Sequence, residues 1–192
     1  MWRLAFVLGV GLLASACVSS ASHIAALNAE GIRVFPSQSG WYELRSEDGY
    51  RFGMPGLPEA RRYDGHAVAG VAFRLEAEGR SRMFLLQVFN LRGFPNHRIE
   101  QFATEAEARY LSEGRELASE NLVDHRGVRA REVEITNVGR NGHSLLVRTV
   151  IWGGRVYQLA AAIPAAAGAP GDVRTFFDSL VLPPEDAAQA SL

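Results

Sequence analysis

The second half of the chain constrains the fold most, because it consists of short strands joined by tight turns. Apolar and polar residues alternate along four segments, at 117–124, 128–138, 144–152 and 155–163. The connections between these segments contain Arg126-Gly127, Asn141-Gly142 and Gly153-Gly154. Asn-Gly and Gly-Gly pairs favour two-residue hairpin turns, because both turn positions need a positive φ. The pattern therefore predicts an antiparallel meander in which each strand pairs with the next.

The first half of the chain predicts further strands. Segments 41–45 and 50–54 flank an Asp-Gly pair at 48–49, which is a strong hairpin signal. Segment 68–77 alternates between apolar and charged residues. Segment 82–91 is apolar on both of its faces, a pattern typical of a strand that is covered on both sides. We therefore expect 82–91 to lie in the interior of the sheet.

Two segments have helical periodicity. The first, at 97–113, repeats apolar residues at helical spacing: Ile99, Phe102, Ala103, Ala106 and Tyr110. Asn96 is placed to cap its start and Gly114 to close its end. The second, at 172–180, gathers on one face Val173, Phe176, Phe177 and Leu180. The predicted fold class is α+β, an antiparallel sheet of about six to seven strands with helices packed on it.

The N-terminus has the features of an export signal. A basic residue, Arg3, is followed by about a dozen apolar residues and by Ala14-Ser15-Ala16, and these features predict a signal peptide over residues 1–16. The next residue, Cys17, is the only cysteine, and the run that it ends resembles a bacterial lipobox. That resemblance implies diacylglycerol on the Cys17 thiol and a lipid anchor in the membrane. Ala14-Ser15-Ala16 also suits the ordinary signal peptidase, which leaves cleavage without lipidation open.

The rest of the chain predicts one domain with flexible ends. Residues 17–39 are rich in Ser and Ala, and we interpret them as the lipidated N-terminus and a flexible tether, with room for a short helical turn around Ile24–Ala29. A single α+β domain is expected over residues 40–184, and a disordered tail over 185–192. Val18 follows the cysteine where inner-membrane lipoproteins carry aspartate, so the resemblance favours the outer membrane, with the domain facing the periplasm.

The order of elements resembles the PsbP-like fold, which is shared by an extrinsic subunit of photosystem II, a Ran-binding nuclear import factor and many bacterial envelope lipoproteins. Residues 50–55 look like the opening strand of that fold, which runs into a proline. Residues 156–159 look like its last strand, and residues 176–180 look like its closing helix. The likeness covers about 41–183. It implies the fold and a role in docking onto other proteins, and it brings no shared catalytic motif.

Composition excludes several chemistries. The chain has no lysine, which excludes a Schiff-base or P-loop lysine, and its single cysteine excludes a multi-cysteine zinc site. The net charge of −1 gives no reason to expect a nucleic-acid partner. We find no Gly-x-Ser-x-Gly elbow, no zinc-binding histidine pair and no dinucleotide-binding loop. We therefore predict no catalytic, cofactor-binding or metal-binding residue.

A cluster of arginines marks the candidate binding surface. Arg126, Arg129 and Arg131 lie on one predicted hairpin, and Trp152 lies at a strand end. We interpret these four residues as a docking face for an envelope protein. Glu132 and Glu134 are expected on a solvated face, where they form surface ion pairs with nearby arginines.

These observations predict a non-enzymatic accessory or protein-binding lipoprotein of the cell envelope. Two alternatives stay open: a carrier of lipid or small apolar molecules between sheet and helix, and a hydrolase that uses His125 or His143 with a carboxylate. Both histidines fall in or beside predicted turns, so we expect them to be exposed. Replacing His125 or Arg126 by alanine should then change the stability by less than about 0.5 kcal/mol.

Overall fold

The structure is a computed structural model that describes residues 20–37, 39–60, 67–77, 80–111, 115–138, 143–164 and 171–184. The helices are α1 (Ser20–Ala29), α2 (Asn96–Ala108) and α3 (Gly171–Ser179), and a short 3-10 helix spans Arg109–Leu111. The first strands are β1 (Ile32–Pro36), β2 (Tyr42–Ser46), β3 (Arg51–Met54), β4 (Glu59–Ala60) and β5 (Ala67–Ala77). The later strands are β6 (Arg80–Asn90), β7 (Glu116–His125), β8 (Val128–Val138), β9 (His143–Trp152) and β10 (Arg155–Pro164).

The larger of two sheets is antiparallel and has seven strands in the order β4-β5-β6-β10-β9-β8-β7. The predicted meander of β7 to β10 is therefore confirmed, with β10 at the centre and β7 at one edge. Two of its turns have the expected geometry, with φ of 54° at Arg126 and 85° at Gly127, and 57° at Gly153 and 70° at Gly154. The predicted turn at Asn141-Gly142 lies outside the described residues. Two consecutive positive φ angles match the twist of the flanking strands.

The two faces of the larger sheet belong to different parts of the core. In β6, Phe84 and Leu86 are buried in the main core, whereas Leu85 and Phe89 are buried on the opposite face. Because burying an apolar side chain contributes about 1.5–3 kcal/mol, a strand with two apolar faces is stable only where both are covered. The prediction of an interior position for this strand is confirmed.

Helix α2 covers one face of the larger sheet. Its residues Ile99, Ala103 and Ala106 are buried against the sheet. The ring of half-buried Phe102 packs on that of Phe89, with the ring centroids 5.0 Å apart. The capping prediction is wrong, because Asn96 is the first helical residue and Pro95 precedes it without a side-chain cap. Gly114, predicted to end the helix, lies outside the described residues.

Helix α3 and the smaller sheet cover the opposite face. Phe176, Phe177 and Leu180 are buried there, as predicted, and Phe84 meets Phe176 edge to face at 5.5 Å. The smaller sheet has the order β1-β2-β3 and packs Tyr50 against Tyr157 of β10, with ring centroids 5.5 Å apart. Burial raises the pKa of Tyr50 to about 12.

Residues 17–39 differ from the prediction of a flexible tether. Residues 20–36 of this segment form α1 and β1, joined by a two-residue connection, and β1 pairs with β2 in the smaller sheet. Leu27 and Ile32 are 0% and 1% exposed, so both are part of the core. The domain therefore begins before residue 40. The predicted signal peptide, Cys17 and the predicted tail at 185–192 lie outside the described residues.

Candidate functional site

A groove of about 590 Å³ lies between α2 and the neighbouring face of strands β7, β8 and β9. Helix α2 contacts β9 and β10, and it leaves the β7 and β8 side of that face open. The β9–β10 turn, at Gly153 and Gly154, closes one end of the groove. The groove therefore has a fixed floor and wall, and it opens towards the β7 edge of the sheet.

The groove combines apolar and charged surface. Ile99 and Ala103 of α2, Leu122 of β7 and Ile151 of β9 supply the apolar lining. The charged residues at the groove are Glu100, Glu107, Arg129 and Arg131. An apolar centre with charged groups around it is the usual composition of a non-obligate binding surface.

Arg131 connects the two sides of the groove. Its guanidinium forms an ion pair with Oε2 of Glu107 on α2, and its Nη1 lies 3.5 Å from Oε1 of Glu120 on β7. Its Nη2 also lies 3.4 Å from the hydroxyl oxygen of Thr104. One arginine thus faces two carboxylates, which leaves the group of Arg131, Glu107 and Glu120 with a net charge of −1.

Glu107 is an unusual residue on this surface. It is only 6% exposed, and its Oε1 atom is buried without a hydrogen-bond partner among the described residues. A buried carboxylate oxygen is a strong acceptor, and leaving it without a donor costs free energy. The wall of the groove therefore contains a carboxylate with one oxygen that is buried and lacks a donor among the described residues.

Two of the four predicted binding residues, Arg129 and Arg131, have side chains on this face and line the groove. Trp152 borders the end of the groove, but its ring packs against the main core on the opposite face, where its Nε1 donates to the carbonyl of Pro183 at 2.9 Å. Arg126 does not join them. Its Nη2 donates to the carbonyl of Asp178 at 2.8 Å, which ties the β7–β8 turn to α3 on the other side of the sheet.

The expectation that His125 is exposed is wrong. The residue is 2% exposed, its Nε2 lies 3.1 Å from the carbonyl oxygen of Leu180, and its Nδ1 lies 3.3 Å from Nη1 of Arg148. Because a guanidinium only donates, Nδ1 accepts and Nε2 carries the proton that Leu180 accepts. Burial, and then the charge of Arg148, lowers the pKa of His125. Both ring nitrogens are engaged inside the protein, away from the groove.

His143 lies at the other end of the meander. His125 ends β7 opposite Val128, whereas His143 begins β9 opposite Val138. The length of β8 separates the two positions by about 33 Å. The two histidines therefore share no site, as the regular meander predicts.

Arg148 forms a buried ionic network that sequence reasoning missed. It is 5% exposed, donates from Nε to Glu132 at 2.6 Å and from Nη1 to Asp178 at 2.7 Å, and lies 5.1 Å from the Phe177 ring centre. Glu132 was expected on a solvated face, but its side chain is 12% exposed. The signal was available, because the register of the hairpin places Glu132 directly opposite Arg148. This network ties α3 to the sheet and lies on the face opposite the groove.

Two further observations concern the described residues only. They contain no group of three or more His, Cys, Asp or Glu side chains that could hold a metal ion. None of their helices is both long enough and apolar enough to cross a membrane.

The fold is similar to that of two solved proteins. One is the cyanobacterial PsbP protein of Synechocystis, with a TM-score of 0.51 and 14% identity over 80% of this chain and 93% of that one. The other is a Pseudomonas aeruginosa protein of unknown function described as a putative regulator, with a TM-score of 0.52 and 12% identity over 80% and 98% of the two chains. No family model and no curated protein matches the chain. At these identities the likeness shows the fold alone, and the predicted PsbP-like α+β fold is confirmed.

Proposed function

We propose that this protein is a non-enzymatic accessory lipoprotein of the cell envelope, which binds a protein partner in the groove between α2 and strands β7–β9. The observation that carries the proposal is the groove itself. It brings together Arg129 and Arg131, it has an apolar lining, and its wall contains the buried carboxylate of Glu107. These are features of a binding surface rather than of a solvated face.

A protein partner suits this groove because exposed apolar side chains lie on the same face beyond it. Leu122 is 60% exposed at the groove, and Leu117, on the far side of Glu120 along β7, is 47% exposed. A face that mixes apolar and charged side chains has the composition of a non-obligate protein interface. A partner that covers both leucines is larger than a small molecule enclosed by the groove alone.

A carrier of small apolar molecules is the second candidate. The groove volume of about 590 Å³ lies within the range of small-molecule sites. Such a ligand would contact Ile99, Ala103 and Ile151 and leave Leu117 in water. Extraction of the purified protein with organic solvent, followed by mass spectrometry, would show a co-purified lipid if this alternative holds.

The membrane anchor rests on the sequence before the described residues. Arg3, the apolar stretch and Ala14-Ser15-Ala16-Cys17 support cleavage before Cys17 and lipidation of its thiol. Val18 supports the outer membrane, with the domain in the periplasm. Mass spectrometry of the mature N-terminus tests this part: we expect a diacylglycerol-modified Cys17, and an unmodified thiol or a retained Met1 would contradict it.

Photo-crosslinking in intact cells tests the binding function. A photoreactive amino acid at Leu122 should capture one dominant protein partner. The matched control is Phe35 of β1, which is 39% exposed and lies in the smaller sheet, on the face opposite the groove. Equal capture from both positions, or none from Leu122, would count against the groove. Turnover in a hydrolase screen that is lost on His143→Ala would favour the enzymatic alternative instead.

A further inference from the structure

Strand β7 presents a free edge beside the groove. Among the strands that the structure describes, it is the last of the larger sheet, and only β8 pairs with it. Nine of its ten residues are exposed or half-buried. A strand with one unpaired side has backbone N–H and C=O groups available for another strand. The edge can therefore accept an extended segment of polypeptide.

The register of β7 shows which side chains an added strand would meet on the α2 side. Residues opposite each other in an antiparallel pair point to the same face. Their β8 partners all face α2 and the groove, and they place four β7 residues on that face: Leu117, Glu120, Leu122 and Asp124. A bulge between Leu117 and Ser119 keeps Leu117 on this side. The resulting surface is acidic at Glu120 and Asp124, with an apolar position between them.

The charge around this surface is negative. Strand β7 carries Glu116, Glu120 and Asp124 and no arginine. Arg131 is already shared between Glu107 and Glu120. Arg129 lies opposite Asp124 in the strand register. Among the described residues, the carboxylates on this face, Glu100, Glu107, Glu120 and Asp124, therefore outnumber its two arginines. An opposite charge directly across a strand pair stabilises the pair, and a like charge destabilises it. A partner strand with basic residues is therefore favoured at this edge.

We propose that the partner inserts an extended segment that pairs with β7, with a basic, an apolar and a basic residue at alternating positions. The basic residues lie opposite Glu120 and Asp124, and the apolar residue packs on Leu122. This proposal rests on the proposed function, because it describes what the same groove and its edge recognise. The pattern is symmetrical, so it fits a parallel or an antiparallel segment.

Charge complementarity decides between this occupant and a second copy of the chain. Two β7 strands side by side would bring the acidic residues of both copies together, and these residues would repel each other. The acidic residues could instead serve to prevent unwanted strand pairing, because charges on an edge strand discourage it. The two interpretations predict different results, since an edge that only prevents pairing would bind no peptide at all.

Titration with short peptides tests the proposal. The probe is an acetylated and amidated peptide, Thr-Lys-Thr-Leu-Thr-Lys-Thr, added to the isotopically labelled protein at about 0.15 M salt, where distant charges are screened. We expect NMR shift changes confined to β7, β8 and α2, and slower amide exchange in β7. A peptide with Glu in place of Lys, and one with the backbone N-methylated at alternate residues, should bind much more weakly.

Protein variants separate a specific contact from a general charge effect. Glu120→Lys should weaken binding of the lysine peptide by about threefold to tenfold, since an attractive cross-strand pair becomes a repulsive one. Glu116→Lys is the matched control, because it makes the same charge change on the same strand but on the other sheet face. It should change the affinity less than twofold. Circular dichroism and thermal unfolding confirm that both variants fold.

The outcomes distinguish this inference from the function on which it rests. If the lysine peptide fails to bind, or if both variants weaken it equally, the strand-pairing inference is overturned. If the peptide test fails in this way but a photoreactive residue at Leu122 still captures a partner in cells, the proposed groove function stands without strand pairing. If Glu120→Lys abolishes capture at Leu122 while Glu116→Lys preserves it, both are supported.

Discussion

Replacing Arg148 by methionine tests the buried network that fixes α3 to the sheet. Arg148 donates to Glu132 and Asp178 and is almost wholly buried, so Arg148→Met removes a charge and its donors while retaining most of the side-chain volume. The two carboxylates respond differently. Asp178 has a side chain that is 66% exposed, so water replaces its lost partner at little cost.

Glu132 determines the size of the effect. Its side chain is 12% exposed, and without Arg148 its remaining ionic partner among the described residues is Arg174, which lies 3.0 Å away and is 52% exposed. Breaking a buried ion pair by removing one partner typically costs 3–5 kcal/mol, because the remaining charge stays buried. Since Arg174 still neutralises part of that charge, we expect a loss near the lower limit, about 3 kcal/mol.

Urea denaturation of the purified protein measures this loss. Arg174→Met is the matched control, because it removes an exposed arginine from the same carboxylate, and it should cost less than about 1 kcal/mol. Adding Glu132→Gln to Arg148→Met removes the stranded charge and should recover part of the stability. A loss below about 0.5 kcal/mol for Arg148→Met, or one no larger than that of the control, would refute the reasoning.

Three further predictions concern stability and are checked by the same unfolding measurements. Because the pKa of His125 is lowered in the folded protein, its contribution to the free energy of unfolding is fully present above the unfolded pKa of about 6.5 and is lost as the pH falls from there through the folded pKa. A stability that stays flat below pH 6.5, with His125→Gln matching the native protein, would contradict this prediction. Phe177→Ala should lower the free energy of unfolding by about 3–5 kcal/mol and Phe102→Ala by clearly less, since Phe177 is 1% exposed and Phe102 is half-buried. Equal losses would show that α2 packs more tightly than described. Gly154→Ala should cost at least about 1 kcal/mol, because its φ is +70° and a Cβ would lie 3.1 Å from Cα of Arg92, and an unchanged midpoint would contradict that geometry.

Much of the fold follows from local signals in the sequence. The turns at Arg126-Gly127 and Gly153-Gly154 carry their own conformational signature, and alternation between them sets the strand faces. The two-faced apolar pattern of β6 indicates its interior position for the same local reason. By contrast, β1 was missed and α1 was expected only as a short turn within a tether. The buried residues of these two elements are Leu27 and Ile32, and their burial depends on a sheet formed with distant residues.

The candidate site was only partly predictable. Arg129 and Arg131 were identified from type and position, whereas the Trp152 ring lies on the opposite face. The groove itself depends on where α2 lies over the sheet, which strand patterns do not specify. Glu107 was missed because a helical glutamate is ordinarily solvated. His125 was misplaced because a residue beside a turn is usually exposed, whereas here α3 folds over that turn and its C-terminal carbonyl binds the imidazole.

Hydrogen exchange of the protein in isolated cell envelopes tests most directly whether the groove holds a partner. Exchange would be compared between the protein in isolated envelopes and the purified protein at the same pH and temperature. We predict additional protection confined to α2 (Asn96–Ala108) and β7 (Glu116–His125), with unchanged exchange in the smaller sheet. Protection confined instead to the smaller sheet and α3, or identical exchange in both preparations, would contradict the assignment of the groove as the binding site.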